Sequence, residues 1–486
     1  MNNEEKKEEE SLTVIDMENR VFHTSSEIGH GGQGIVFHVK DDQDIAVKIS
    51  IDFNGAPVVD HNAIKEVSER LNNIRRLPIP KDINLSQPLS ILKSHAGYVM
   101  TFMKGMKSFE SFLKLKEKVK EIPSWLCNGE GKPVENAELW ANYCISGGLR
   151  TRLIALYKIS ELLASLHMNG LVYGDISAGN LMYKKEGENI SGGLIDADNI
   201  NFAGKGKTYY TPGYGAPEII TGQNGATIFS DSYAFAVAAF FILTMMHPYK
   251  GEKVLGVNSE DDDDWAKTVT VQAQKDTGDF KDDGRLPWIF DQEDDSNSFG
   301  SFEQVMELFL TPELMALFDN TFRVGHTKPE LRTPLTRWPL AFARAADKTI
   351  RCSSCGMTYY YSEERDECPY CSGKTGDVLK VTTNKANGEK SIFVHELSDE
   401  QEVEIPSRCF EPFRIGKGDE SVIGIQKKGN TIEIIKLNDS IVPYIVFDDG
   451  KEETLIGKRV LNKSTAFTVF YKDAMSEKVR IEVIGE

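Results

Sequence analysis

Over the first hundred residues, short β-branched and aromatic runs alternate with polar turns. Ile45-Ala46-Val47-Lys48-Ile49 and Tyr98-Val99-Met100-Thr101-Phe102-Met103 are of this kind, and their length and composition predict strands. Between them Ile64, Val67, Leu71 and Ile74 recur at helical spacing, which predicts one amphipathic helix over 61–76. From 106 to 345 the pattern turns mainly helical. Leu153, Leu156, Ile159, Leu163 and Leu166 mark a long buried helix, and the run from Ala234 to Met246 is apolar on all sides, as in a helix at the centre of a core. Segments 118–148 and 257–300 interrupt the pattern with Pro, Gly and acidic clusters, and read as loops or insertions. After 376, Val, Ile, Phe and Thr dominate, as in Thr431-Ile432-Glu433-Ile434-Ile435, with turn signals at Lys428-Gly429-Asn430 and Asp449-Gly450. This predicts an all-β domain over 376–486, a small sandwich or barrel. Residues 1–18 read as a disordered, solvated acidic tail, with too little apolar surface to offset chain entropy.

Composition narrows the partners. The 486 residues suit about three domains. A net charge of −18 and a pI near 5.1 disfavour phosphate backbones and anionic membranes, so neither nucleic acid nor membrane is an expected partner. The opening MNNEEKKEEE lacks the apolar stretch of a signal peptide, and the longest apolar run falls short of the ~20 residues that span a bilayer. A cytoplasmic location is the expectation. Of seven cysteines, four form two Cys-x-x-Cys pairs, which without a secretion signal points to metal rather than disulfides.

The candidate chemistry begins at Ile28-Gly29-His30-Gly31-Gly32-Gln33-Gly34-Ile35-Val36. Gly29, Gly31 and Gly34 have G-x-G-x-x-G spacing, which lets backbone approach phosphate closely. A dinucleotide-binding loop would continue as a helix. Here Ile35 to Val39 continues as strand, which predicts a hairpin lying over a nucleotide. Lys48 then ends Ala46-Val47-Lys48, placed to pair with phosphates, and the following helix supplies Glu66 as its partner, with Glu69 the competing candidate. In Tyr173-Gly174-Asp175-Ile176-Ser177-Ala178-Gly179-Asn180 the Asp175 carboxylate can accept a proton from an attacking hydroxyl, and Asn180 offers oxygen to Mg²⁺. Asp196, capping the apolar Leu194-Ile195, is placed as a second magnesium ligand.

These segments in this order resemble a eukaryotic-like Ser/Thr protein kinase of the divergent bacterial type. The resemblance implies an α+β, bilobal kinase fold over 19–345, with an N-lobe at 19–104 and a C-lobe at 105–345. It also implies ATP and Mg²⁺ in the cleft and a protein substrate. Ile28, Gly29, Gly31, Gly32, Gly34, Val36 and Ala46 would then face the nucleotide. Lys48 would bind phosphate with Glu66 as its helix partner, Asp175 would be the catalytic base, and Asn180 and Asp196 would hold magnesium. Met100 falls at the gatekeeper position, with Phe102 and Met103 in the hinge facing adenine. Thr211 to Glu218 resembles the substrate-docking segment, and Asp231 the residue that anchors the catalytic loop. Resemblance to bacterial members further implies a cognate metal-dependent phosphatase as partner.

The departures matter too. His-Arg-Asp reads Tyr173-Gly174-Asp175, so a phosphorylated activation loop lacks its usual Arg, and activity independent of loop phosphorylation is expected. Asp-Phe-Gly reads Asp196-Ala197-Asp198, and the Lys that normally follows the catalytic Asp is Ser177. These losses keep open a pseudokinase scaffold, acting through its C-terminal parts. A small-molecule kinase shares the Asp-x4-Asn logic, but the docking segment and Asp231 favour a protein acceptor, and Thr211 favours Ser/Thr over Tyr.

Cys352, Cys355, Cys368 and Cys371 have the spacing of a zinc ribbon over 350–373. Four Cys ligands close a tetrahedral site, so the expected zinc is structural. Acidic residues inside the loop argue for a protein contact or spacer over nucleic acid. The terminal β-domain is expected to be a protein-interaction module.

Overall fold

The computed structural model describes residues 12–31, 34–113, 119, 121–134, 137–204, 210–256, 269, 272, 280–298, 307–384, 390–472 and 476–485. Gly32 and much of the 257–300 insertion lie outside these residues. The chain forms two compact units, one of Met1–Phe109 with Leu162–Phe235 and one of Glu110–Glu161 with Ala236–Glu486. This division differs from the expected lobes, because the cysteine unit and the β-domain share a unit with helices expected in the C-lobe. Its helices are α1 (His61–Ile74), α2 (Ala137–Ile145), α3 (Gly148–Met168), α4 (Pro217–Ile220), α5 (Ile228–Thr244), α6 (Glu252–Leu255), α7 (Pro312–Asp319) and α8 (Trp338–Ala346).

In the first unit, β1 (Thr13–Ile15), β2 (Val21–Gly31), β3 (Gly34–Val39), β4 (Ile45–Ile49), β5 (Pro88–Ile91) and β6 (Gly97–Thr101) form one antiparallel sheet in the order β1-β2-β3-β4-β6-β5. The disordered tail expected over 1–18 is corrected for 12–18, since Thr13–Ile15 pairs with β2 and Val14 is fully buried, while 1–11 lie outside the described residues. Alternation along the strands splits the sheet into two faces. Val47, Ile49 and Val99 join Val14 on one, while Ala46, Tyr98 and Met100 join Leu71 and Ile74 of α1 on the other. Asp60 caps α1 by accepting from the backbone N–H of Asn62 and Ala63 at 3.0 and 2.9 Å.

The same unit holds β7 (Lys107–Ser108), β8 (Leu171–Val172), the β9–β10 hairpin (Leu181–Glu186, Asn189–Leu194) and β11 (Asn201–Phe202). β9 pairs with β7, and β8 with β11. These short pairings fix both ends of the two segments that carry Asp175 and Asp196.

In the second unit, Phe240 of α5 is ringed by Trp288, Phe290, Phe318 and Phe322 at centroid distances of 5.4–6.0 Å. Arg152 of α3 is fully buried and satisfied by the carbonyls of Ile242, Gly148, Tyr143 and Phe112 and by the Ser146 hydroxyl. The first cysteine pair lies in the loop of a hairpin formed by β12 (Thr349–Arg351) and β13 (Thr358–Tyr360), and the second pair follows β13. After it come two sheets. One has the order β15-β14-β23-β22-β19-β20, from β14 (Val378–Asn384), β15 (Lys390–Glu396), β19 (Pro443–Phe447), β20 (Glu452–Thr454), β22 (Phe467–Tyr471) and β23 (Val479–Ile484). The other is β16-β17-β18-β21, from β16 (Glu402–Pro406), β17 (Ser421–Lys428), β18 (Thr431–Lys436) and β21 (Lys458–Asn462). Val381, Phe393, Phe467 and Ile481 of the first meet Ile405, Ile423, Ile425 and Ile434 of the second in one core. The domain is therefore a sandwich rather than a barrel.

Candidate active site

β2 and β3 pair up to Gly31↔Gly34, with Gly29 opposite Val36, so the glycine-rich segment is a hairpin, as the strand after it predicted. Gly34 is required by close approach, since a Cβ there would lie 2.6 Å from the Ile49 carbonyl oxygen. Ile28 is exposed on this hairpin. Register then places Lys48 opposite both Val36 and Tyr98, and Ala46 opposite Met100. Met100, which the resemblance puts at the gatekeeper position, is buried. Past β6, the Phe102 N–H donates to the Asp44 carbonyl at 2.8 Å, and its ring meets His38 edge-on at 4.7 Å. Met103 accepts from the Met106 N–H through its carbonyl, and its sulfur lies so near Gly193 that a Cβ there would sit 2.7 Å away.

Lys48 is almost fully buried. Its ammonium lies 2.9 Å from Asp196 and 3.6 Å from Asp198. Burial works against the charge, but Tyr98, Asp198 and Asp196 outweigh it and raise the lysine's proton affinity above the ordinary value. Lys48 thus stays an ammonium, the state that binds phosphate. Its partners here are Asp196 and Asp198, where the sequence led us to expect Glu66. Glu66 lines a cavity of about 270 Å³ between α1 and the turn after Asp196, together with Glu69, Arg70 and Asp198. Four residues along the helix from Glu66, Arg70 meets Asp198 at 3.3 Å.

The catalytic segment is held from both sides. The Asp231 carboxylate, in the first turn of α5, accepts from the N–H groups of Tyr173 and Gly174 at 2.7 and 3.0 Å, and from His167 at 3.1 Å. This matches the anchoring part that the resemblance implied. Tyr173 is fully buried and donates its hydroxyl to the Ile195 carbonyl, tying the segment to the one that carries Asp196. Burial and the neighbouring acids push this phenol's pKa far up, so it remains a neutral donor. The Asn180 amide nitrogen donates to the Asp175 carbonyl at 2.8 Å, a bond that does not use its amide oxygen. The backbone of Asn180 accepts from Ile195 at 3.1 Å.

Asp175 is itself buried and accepts from the Thr211 hydroxyl at 2.9 Å. Burial raises its pKa above the usual carboxylate value, reinforced by Asp196 and Asp198 and opposed by Thr211 and Lys48. A carboxylate with raised proton affinity suits proton acceptance. A small cavity beside it is lined by Tyr210, Tyr214, Ser230 and Asp231. Asp196 adopts left-handed backbone (φ 57°, ψ 50°), a conformation that aims its side chain back at Lys48 at some backbone cost. Sequence reasoning missed Asp198 and Arg70. Their signal was the second acid of Asp196-Ala197-Asp198 and a cation on the helix that carries Glu66.

In the second unit the Sγ atoms of Cys352, Cys355, Cys368 and Cys371 lie within 4.8 Å of one another, with Cys352–Cys371 at 3.6 Å and Cys355–Cys368 at 3.7 Å. Tetrahedral thiolate coordination at ~2.3 Å per bond puts sulfurs about 3.8 Å apart, so the cluster fits zinc. The hydrogen bond with Cys355 holds the Cys368 thiol below the ordinary thiol range, which favours loss of its proton to a metal.

The family model of the protein kinase domain matches residues 22–286, more than half of the chain. The chain therefore belongs to the protein kinase family. Membership implies phosphotransfer from ATP with Mg²⁺ to protein substrates. No curated protein matches the chain. Among the described residues no helix is long and apolar enough to cross a membrane.

Proposed function

We propose that this chain is a Ser/Thr protein kinase with a structural zinc in its four-cysteine unit. The observation that supports this most is the pairing of two contacts in one unit: Lys48 on Asp196, and the Thr211 hydroxyl on Asp175. In the proposed reaction Lys48 binds the α- and β-phosphates, and the β2–β3 hairpin covers them. Asn180 and Asp196 would hold Mg²⁺, which would supply neutralisation of phosphate charge. The substrate hydroxyl oxygen forms its bond to the γ-phosphorus as the bond to the bridging oxygen breaks, and Asp175 takes the hydroxyl proton. That Asp175 already accepts a bond from a threonine hydroxyl supports a Ser/Thr acceptor. Buried Ser177 brings no charge to the transferring group, so that neutralisation falls to Lys48 and the metal.

The test is phosphotransfer from labelled ATP with Mg²⁺, comparing wild type with Lys48→Ala and Asp196→Ala. We expect label on Ser or Thr, reduced at least ~100-fold in both variants, the order of loss that follows removal of a principal charge-stabilising group. A folded wild type that binds ATP but labels neither itself, nor protein acceptors, nor small alcohols would instead favour the scaffold reading.

A further inference from the structure

Asp198 has no part in the reaction as drawn, yet it is among the most buried carboxylates of the first unit, at 4% exposure. A buried carboxylate is costly unless its charge is compensated. Two cations from different elements compensate this one. Its Oδ1 lies 3.6 Å from the Lys48 ammonium of β4, and its Oδ2 accepts from the Arg70 guanidinium of α1 at 3.3 Å. It sits in the short turn Ala197–Asn199, directly after Asp196. Arg70–Asp198–Lys48–Asp196 is therefore one continuous chain of alternating charges, linking a helix, a turn and a strand.

We propose that Asp198 is a positioning residue that takes the part the sequence suggested for Glu66. It holds the Lys48 ammonium together with Asp196 and, through Arg70, fixes α1 to the turn that follows Asp196. The need for such a residue follows from Asp196. That carboxylate is shared between Lys48 and the proposed magnesium, so it cannot by itself keep the ammonium in place once the metal binds. Asp198 faces two cations and stays available to orient Lys48. An acid at this position of the turn thus gives the lysine an anchor on the turn, with Arg70 joining the helix to it.

This inference rests on the proposed ATP site, and a binding cycle tests it separately from transfer. Mg-ATP affinity of the full chain is measured by titration for wild type, Asp198→Asn, Lys48→Ala and the double variant, with thermal melting to verify folding. Asp198→Asn is expected to weaken binding about 10-fold when Lys48 is present and less than about 2-fold when it is absent, because Asp198 acts through the lysine. Equal weakening in both backgrounds, or none in either, overturns the proposal. Should Asp198→Asn fail to fold, Arg70→Ala decides. It is expected to weaken binding about 3-fold with Lys48 present and not with Lys48→Ala, and an equal effect in both backgrounds overturns the link. A wild type that binds Mg-ATP but transfers no phosphate overturns the kinase reading alone, since affinity is still read.

Discussion

Gly174 shows how one residue can carry a departure from the family pattern. It stands where related kinases have Arg, and its backbone is left-handed at φ 87°. A Cβ there would meet the Asn199 carbonyl oxygen at 3.1 Å, while its N–H is held by Asp231. Restoring the family's residue should therefore harm the protein. Gly174→Arg is expected to cost about 1–2 kcal/mol from the left-handed conformation and to lower phosphotransfer by distorting the Asp175 segment. Thermal melting and an initial-rate assay check this. A variant as stable as wild type, and more active once its loop is phosphorylated, would show that the site retains the usual Arg-dependent switch. That Lys48 lies by Asp196 and Asn180 by Asp175 was legible in the sequence because each occupies a fixed offset from a strand or turn. The full set of Lys48 partners was not, because Glu66, Asp196 and Asp198 are all acids at plausible distance along the chain. Which of them meets the ammonium depends on how α1 lies on the sheet, and spacing does not encode that.

Elements were read best where periodicity was long. α1 was expected over 61–76 and runs His61–Ile74, and the all-apolar stretch before Met246 lies in α5. Thr13–Ile15 escaped because three residues give no period and acidic neighbours masked the single buried Val14. α2 escaped inside a stretch read as loop from its Pro and Gly residues. The cysteine unit is the opposite case, in which spacing alone specified the element. Its Tyr370 packs edge-on against Trp140 and Trp125, at 5.4 and 6.4 Å, so loss of metal should be visible optically. We expect about one zinc per chain. Chelation should make four further thiols titratable and change tryptophan emission, because the segment has little else to fold around. A thiol count that does not change on chelation would mean that the cluster holds no metal.

For the whole molecule, the C-terminal sandwich was expected as a separate interaction module, yet it belongs to one compact unit with α8 and the part of α3 up to Glu161. Arg408 meets Asp347 at 2.6 Å, the Gly416 N–H donates to Glu161 at 2.6 Å, and Lys158 reaches Asp419. A further link joins Arg150 of α3 to Glu396 of β15 by a fork of two hydrogen bonds at 2.9 and 2.6 Å. Composition could not reveal this, because residues more than two hundred positions apart supply the two charges. Burial alone would raise the Glu396 pKa. The Arg150 guanidinium outweighs it and holds the carboxyl at about 2, against an ordinary 4.5. A folded-state value below the unfolded one contributes stability that is complete above about pH 4.5 and is lost as pH falls towards 2. The shift corresponds to about 3 kcal/mol at neutral pH. Glu396→Gln should therefore lower stability in urea by about that amount at pH 7, since Arg150 would be left buried without its counter-charge. The gap to wild type should stay nearly constant down to about pH 5 and narrow by pH 3, where the carboxyl of the unfolded wild-type chain has taken up its proton while the folded one still resists it. Other titrating groups are common to both proteins and cancel in the difference. A gap that is the same at pH 3 as at pH 7 would mean that shape, not charge, joins the sandwich to α3.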